Sequence, residues 1–581
     1  MKQTKRRGGL HPMNAVYAVL LCAFFFVLAC WFVPECDEYY FQYWTFNSLR
    51  DFIHTNPKDT GVLLVGIPAN GRYLGNALGI LQAKLYSMPS GVYLRAALFA
   101  ACSAGLLALL YRYFCSAGTP VQPPEGKESH NRRYWGGGLA LCALLLVGAP
   151  YGIYSQVLAW GAGFANYVPP VAGMLVLWLM MDRRGGQALP ALFLIAFGSQ
   201  LFAEPVTVYF LFFGATLVLD GVIWYRKTGE IPEKRAAVRR RLISSLWMFF
   251  GFVAGAALMF SDSGYRQVGG DGRAVTGENM VRNLAIIASE VVVNHPILTP
   301  LLSLFLVAAA FCSIRSAASH RSVASRTGAK GSDRFLLRAM VWLLWIVLTA
   351  LLIPLHKFLF ESNALVITDQ LFAYENINIA VGAAVAVIWI GLLALWSAGT
   401  WQEMPSDGEE TANGIDGCRF SYLHSVRGRL WFWVGSLVIA NGPLLILYPI
   451  KSRHFFLSYI ILCLVALELY GWLARRGVPA DHPAIVWLMR AATVACCVGL
   501  LFVYHENDRV HQERMDYAEA QIAQGAEEVT LPLLPYRAFV TNEGTSKGDI
   551  SYVCYREEPW DVKFRFVLWK DWEGYENESN D

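Results

Sequence analysis

Residues 13–33 read MNAVYAVLLCAFFFVLACWFV, a stretch without a single charge, and Lys2, Lys5, Arg6 and Arg7 precede it. A helix needs roughly 20 apolar residues to cross the hydrocarbon core of a bilayer. This run is long enough to span. It exceeds the apolar length of a signal peptide, and no clean small-x-small cleavage site follows it. An uncleaved first membrane helix is therefore expected, with residues 1–12 as a basic tail on the cytoplasmic side.

The rest of the chain repeats the pattern. Apolar runs lie near 91–114, 136–158, 167–181, 188–203, 205–225, 242–260, 297–313, 338–355, 377–396, 430–449, 455–474 and 484–504. With the first run they predict an all-α polytopic membrane protein of about thirteen transmembrane helices. Composition agrees: of 581 residues, 55% are hydrophobic and only 16% charged, where a soluble domain carries about 25% charged residues. Charges leave apolar spans because they are costly in lipid. The formal net charge of +4 is too small to suggest nucleic acid as a partner.

The placement of Lys and Arg orients the spans. Lys127, Arg132 and Arg133, then Arg183 and Arg184, the segment Arg226 to Arg241, the segment Arg315 to Arg338, Arg427 with Arg429, and Arg475 with Arg476 fall on one side. By the positive-inside rule that side is the cytoplasm. The expected order is a membrane domain over 13–504, with a first outside loop at 34–90, and a small extracytoplasmic α+β tail over 505–581. Within the tail, Asp508 to Gln524 has a helical pattern, and the stretches 528–534, 550–555 and 562–569 are strand-like. The tail is too short for a large core of its own, so packing on the membrane part is expected.

Most of the twelve cysteines lie in apolar runs, as small apolar filler. Cys36 and Cys554 both fall outside, where a disulfide between them is chemically allowed. No Cys/His spacing points to zinc.

The outside segments carry the chemistry-bearing residues. The first loop opens on Glu35-Cys36-Asp37-Glu38, and carboxylates at the water–lipid boundary serve as base, metal ligand or substrate clamp. Then comes Asn70-Gly71-Arg72, followed by Asn76, in a stretch whose leucines (Leu74, Leu78, Leu81, Leu85) suit a helix lying in the interface. Arg72 suits phosphate or carboxylate, because its planar fork makes two parallel hydrogen bonds. Trp160, Asn166 and Tyr167 sit in WGAGFANYVPP, where small residues permit close approach and the rings offer stacking faces. Glu204 stands between two apolar runs, a costly position unless it has a partner or faces water. Lys451, Arg453 and His454 form a short cationic connection suited to an anionic headgroup. His295 reads as structural. Each has a plainer reading as a helix end, a tight turn or interfacial snorkelling. All nevertheless fall on one side of a topology derived from Lys and Arg alone.

A carboxylate pair after the first helix, Asn-Gly-Arg in the first outside loop, Trp160-x-x-Gly163-x-x-Asn166-Tyr167, Glu204-Pro205 and a late outside Arg453 together resemble GT-C glycosyltransferases. The nearest likeness is to a bacterial family of GT-C-like membrane proteins, over most of 13–504. The resemblance implies a sugar donor on a polyprenyl phosphate and an envelope glycan or protein acceptor. Transfer would take place on the extracytoplasmic face of the plasma membrane. It implies Asp37 as catalytic base with Glu38 beside it, and Arg72 and Arg453 on the lipid phosphate. This chain has Asp-Glu where many relatives have Asp-Asp, which leaves open which carboxylate is catalytic. A divalent metal is compatible with the sequence but not required by it. A transporter or flippase of a lipid-linked sugar, and a polysaccharide polymerase or ligase, are the competing expectations.

Overall fold

The computed structural model describes residues 12–34, 38, 71–86, 88, 90–117, 128–182, 189–227, 232–261, 277–322, 371–400, 422–446, 450–476, 478, 482–541, 562–569 and 571–572. The described chain is mostly helical. In order, the helices are α1 (Pro12–Cys30), α2 (Tyr73–Tyr86), α3 (Gly91–Ala117), α4 (Glu128–Val147), α5 (Gly161–Asp182), α6 (Leu189–Ser199), α7 (Glu204–Lys227) and α8 (Pro232–Phe260). They continue as α9 (Gly277–Ala288), α10 (Leu298–Ser322), α11 (Leu371–Thr400), α12 (Val426–Asn441), α13 (Phe456–Arg475) and α14 (Pro483–Ala523).

Among the described residues, 8 helices are long and apolar enough to cross a membrane, or up to 10 if each of two bent pairs is one span. Val16, Val19 and Leu20 of α1, Phe250 of α8 and Leu488, Val498 and Phe502 of α14 are exposed large apolar side chains on such helices. With every backbone group bonded inside its helix, such faces are stable against lipid and unstable against water. The protein is a multi-pass membrane protein.

Among the described residues, not every apolar run forms one long helix, for local reasons. The run at 136–158 is not one helix: α4 ends at Val147, and a second piece, Tyr151–Ala159, leaves at 71°. The break carries Gly148 and Pro150, and proline cannot continue the α4 ladder. Residues 280–293, expected within an outside loop, are helical and bend by 72° into Leu298–Ile314. The run at 188–203 yields α6, whose 11 residues rise only about 16 Å at 1.5 Å each. The run at 338–355 lies outside the described residues, as do Cys36 and Cys554.

α13 is the central pillar. It is apolar on every side, and every residue from Phe456 to Ala474 is buried, as expected of a helix without a polar face. Its one carboxylate, Glu468, accepts from Arg429 Nε at 2.5 Å, Arg429 Nη2 at 2.9 Å and the Tyr113 hydroxyl at 2.7 Å. The Trp433 indole completes the network by donating to Tyr113 Oη at 2.8 Å. Arg429, counted among the cytoplasmic loop charges in the sequence, is thus buried inside the protein. Two helix starts also meet: Arg490, near the start of α14, donates to Asn14 Oδ1 of α1 at 2.8 Å.

The boundary expected at 504 does not exist as a break. α14 runs unbroken from Pro483 to Ala523, so the last span continues directly into the tail. Beyond it, β1 (Glu528–Pro532) pairs in parallel with β2 (Lys563–Val567). These strands match two of the three strand-like stretches; 550–555 falls outside the described residues. The tail does pack on the membrane part, through the 3-10 turn Arg537–Phe539.

Candidate functional site

Five elements deliver polar side chains to the end of the bundle opposite the Arg429–Glu468 network. They are the start of α2, the first turn of α3, the start of α5, the α6–α7 turn and the 3-10 turn Ser452–Phe455 before α13.

α2 begins here because its first amides have partners. Leu74 N and Gly75 N both donate to Leu201 O, at 3.0 and 3.2 Å, which satisfies two donors that a helix start leaves open. That link joins α2 to the α6–α7 turn and sets Arg72 beside Glu204. Arg72 Nε and Nη2 reach the two oxygens of Glu204 at 2.9 and 2.7 Å. The carboxylate also sits in the first turn of α7, where the helix dipole favours an anion. The buried side of α2 holds Asn76 and Gln82, while Leu74 and Leu81 are exposed. Tyr73, Ile80 and Ala83 share that buried side, and Leu78 and Leu85 are half-buried, so only Leu74 and Leu81 face away from the protein.

Gly75 makes the α2–α5 contact possible. A Cβ there would fall 2.1 Å from Asn166 Oδ1. Asn166 is buried, and its amide donates to Ala162 O at 2.8 Å within α5.

Glu38 is buried at 3% exposure. Its Oε1 accepts from Gly161 N at 3.1 Å and faces Arg95 Nη2 at 3.4 Å. Arg95, itself buried, also donates to Ala159 O at 3.4 Å. Glu38 is thus bound to the start of α5 and the first turn of α3. Asp37 and Asn70, the other two expected site residues of this loop, lie outside the described residues.

The segment before α5, Tyr154–Ala159, is π-helical, a geometry that recurs at functional sites. Gln156 Oε1 in it accepts from Arg453 N at 3.3 Å. The Arg453 guanidinium lies 5.2 Å from the Trp160 ring centre, within cation–π range. His454 is buried, and its Nδ1 accepts from Lys451 N at 3.0 Å, which puts the proton of a neutral ring on Nε2. Its ring meets Tyr167 edge-on at 6.1 Å. Tyr167 is buried beside the Arg453 side chain, within electrostatic range of Arg72 and Glu204. Arg72 and Arg453 act on His454 too. The Tyr167–His454 pair thus lies within electrostatic range of both Arg453 and Arg72.

Three buried polar atoms here have no hydrogen-bond partner among the described residues: Gln82 Nε2, Trp160 Nε1 and Asn166 Oδ1. Buried polar groups are nearly always bonded, so such a cluster is open to a polar ligand, to water or to another part of the chain.

Nine of the expected site residues are thus described and share one end of the molecule: Glu38, Arg72, Asn76, Trp160, Asn166, Tyr167, Glu204, Arg453 and His454. Sequence reading missed Arg95, Gln82 and Gln156. Arg95 had a visible signal, being a lone cation within the apolar run 91–110. Chemically, the arrangement offers positive charge suited to an anion. Arg453, stacked on Trp160, presents positive charge, while the fork of Arg72 is occupied by a carboxylate. Among the described residues no group of three or more His, Cys, Asp or Glu side chains could hold a metal ion. No family model, curated protein or solved structure matches the chain.

Proposed function

We propose that this protein is a GT-C-type membrane glycosyltransferase of the plasma membrane. It takes a sugar from a polyprenyl-phosphate donor and transfers it to an envelope glycan or protein at the extracytoplasmic face. The observation that carries the reading is the Arg453 guanidinium held over Trp160, at the end of the bundle where Arg72 pairs with Glu204 beside a helix whose Leu74 and Leu81 are exposed. A lipid-borne phosphate arriving along the exposed leucines of α2 meets those cations at the end of the apolar helices.

In this reading Arg453 holds the phosphate and Arg72 joins it when the phosphate displaces Glu204 from its fork. The acceptor hydroxyl gives its proton to Asp37, its oxygen bonds to the anomeric carbon, and the bond from that carbon to the phosphate oxygen breaks. Polyprenyl phosphate leaves with the electron pair, and the cations stabilise that charge. Glu38, bound by Arg95 and Gly161, serves to hold the loop.

A transporter of the same lipid-linked sugar is the second reading, favoured by the two bent helix pairs, since broken helices line transporter sites. Purified protein in sealed proteoliposomes with a polyprenyl-phosphate sugar and envelope acceptors separates them. Release of polyprenyl phosphate with a glycosylated product supports transfer. Movement of intact lipid across a vesicle, with no product, overturns it.

A further inference from the structure

The far side of the π-helical segment is gripped by the C-terminal tail. Thr541, 3% exposed, donates from Oγ1 to Ser155 O at 2.6 Å. Phe539 packs its ring against Tyr151 at 6.2 Å and Tyr504 at 5.9 Å, and its carbonyl accepts from the Tyr504 hydroxyl at 3.2 Å. The tail is itself fastened to α14. Asn507 donates to Tyr536 O at 3.1 Å and accepts from Tyr536 N at 2.9 Å.

The same segment bears the other side's contacts. Gln156 holds the backbone of Arg453, Ala159 O accepts from Arg95, and Trp160 follows directly. Six residues thus join the tail to Arg453 of the anion site and to Arg95, which holds Glu38. π-helical turns are rare and occur mostly as single turns, so a fixed register here depends on outside anchors. Thr541 contacts Ser155, one residue before Gln156, and any slip at Ser155 moves the group that fixes Arg453.

We propose that the tail segment 536–541 is a positioning element for the anion site. Thr541 and Phe539 hold Tyr154–Ala159 in the register that sets Arg453 over Trp160. The tail thereby acts on donor binding without touching the donor. The identity of the ligand rests on the lipid-phosphate reading above; the grip itself does not.

The test compares wild type with Thr541→Val, which keeps shape but loses the hydroxyl, and Thr541→Ser, which keeps it. Two quantities are read in phosphatidylcholine nanodiscs: amide hydrogen exchange across residues 151–164, and affinity for undecaprenyl phosphate. One lost hydrogen bond corresponds to about threefold to tenfold in an equilibrium constant. Thr541→Val should speed exchange in that segment and weaken affinity by that factor with its melting temperature near that of wild type, and Thr541→Ser should restore both. Unchanged exchange in Thr541→Val overturns the grip. Faster exchange with unchanged affinity overturns the positioning role. If wild type itself binds no undecaprenyl phosphate, the lipid-phosphate reading falls and the link to donor binding falls with it. The exchange comparison then still decides the grip.

Discussion

At the scale of single residues the site depends on close approaches that one methyl group can undo. A Cβ on Gly161 would fall 2.4 Å from Glu38 Oε1, against the oxygen that Gly161 N and Arg95 both hold. Gly161→Ala should release Glu38 and lower transfer by at least tenfold while donor binding persists; a Kd titration beside a turnover assay distinguishes the two. Arg453 is the sharper case. Arg453→Lys keeps the charge and loses the planar fork and the flat stacking on Trp160, so affinity for polyprenyl phosphate should weaken without vanishing. Arg453→Ala should abolish it, and wild-type affinity in that variant would remove Arg453 from the phosphate site. Most of these residues were legible because polar groups at the ends of apolar runs stand out against lipid chemistry. Their pairing was not. Arg72 and Glu204 lie 132 positions apart, and nothing in either local sequence says that the fork of one is filled by the other. Arg95 was passed over because cations were weighed in the loops, whereas this one lies inside a helix.

At the scale of elements, hydropathy located the helices but not their breaks. An apolar run reports length on average, and 136–158 stays apolar straight through Pro150. The bend is a backbone event, caused by a missing N–H and a ring clash, and it leaves hydropathy untouched. It is also what makes the site, because the piece after the bend carries Gln156 and delivers Trp160. The same blindness applies to α13, whose carboxylate Glu468 sits within an apolar stretch and is satisfied by α12 and α3. Removing one partner of a buried ion pair typically costs roughly 3–5 kcal/mol, because the other charge is left uncompensated. Glu468→Gln keeps the shape and strands Arg429 in that way. It should lower the melting temperature in detergent by several degrees, whereas a double change to Glu468→Gln with Arg429→Met should recover part of the loss. Equal destabilisation by the single and double variants would show that the stranded Arg429 charge is not the source of the loss.

At the scale of the whole molecule, the two polar clusters lie at opposite ends of the helices, and that arrangement makes the orientation testable. α1 starts beside α14 at Asn14 and Arg490 and finishes near the site, where Phe32 meets Phe99 and Tyr504. α13 runs the other way, from His454 at the site to Arg475, and Arg475 and Arg476 follow the end that holds Glu468. Basic residues therefore gather at the end away from the site, and an excess of Lys and Arg marks the cytoplasmic side of a bilayer. The site end is then expected outside, together with the tail that α14 carries beyond the membrane. Single cysteines placed at Ser263 and Lys547 should react with a membrane-impermeant maleimide in intact cells. Those placed at Lys234 and Lys330 should react only after permeabilisation. The native cysteines must be replaced first, and Cys142 and Cys463, both buried, are the ones whose replacement needs a check on folding. Labelling of Lys234→Cys in intact cells would reverse the orientation. The anion site would then face the cytoplasm, where soluble nucleotide sugars are present, and the argument for a lipid-linked donor would lose its main physical ground.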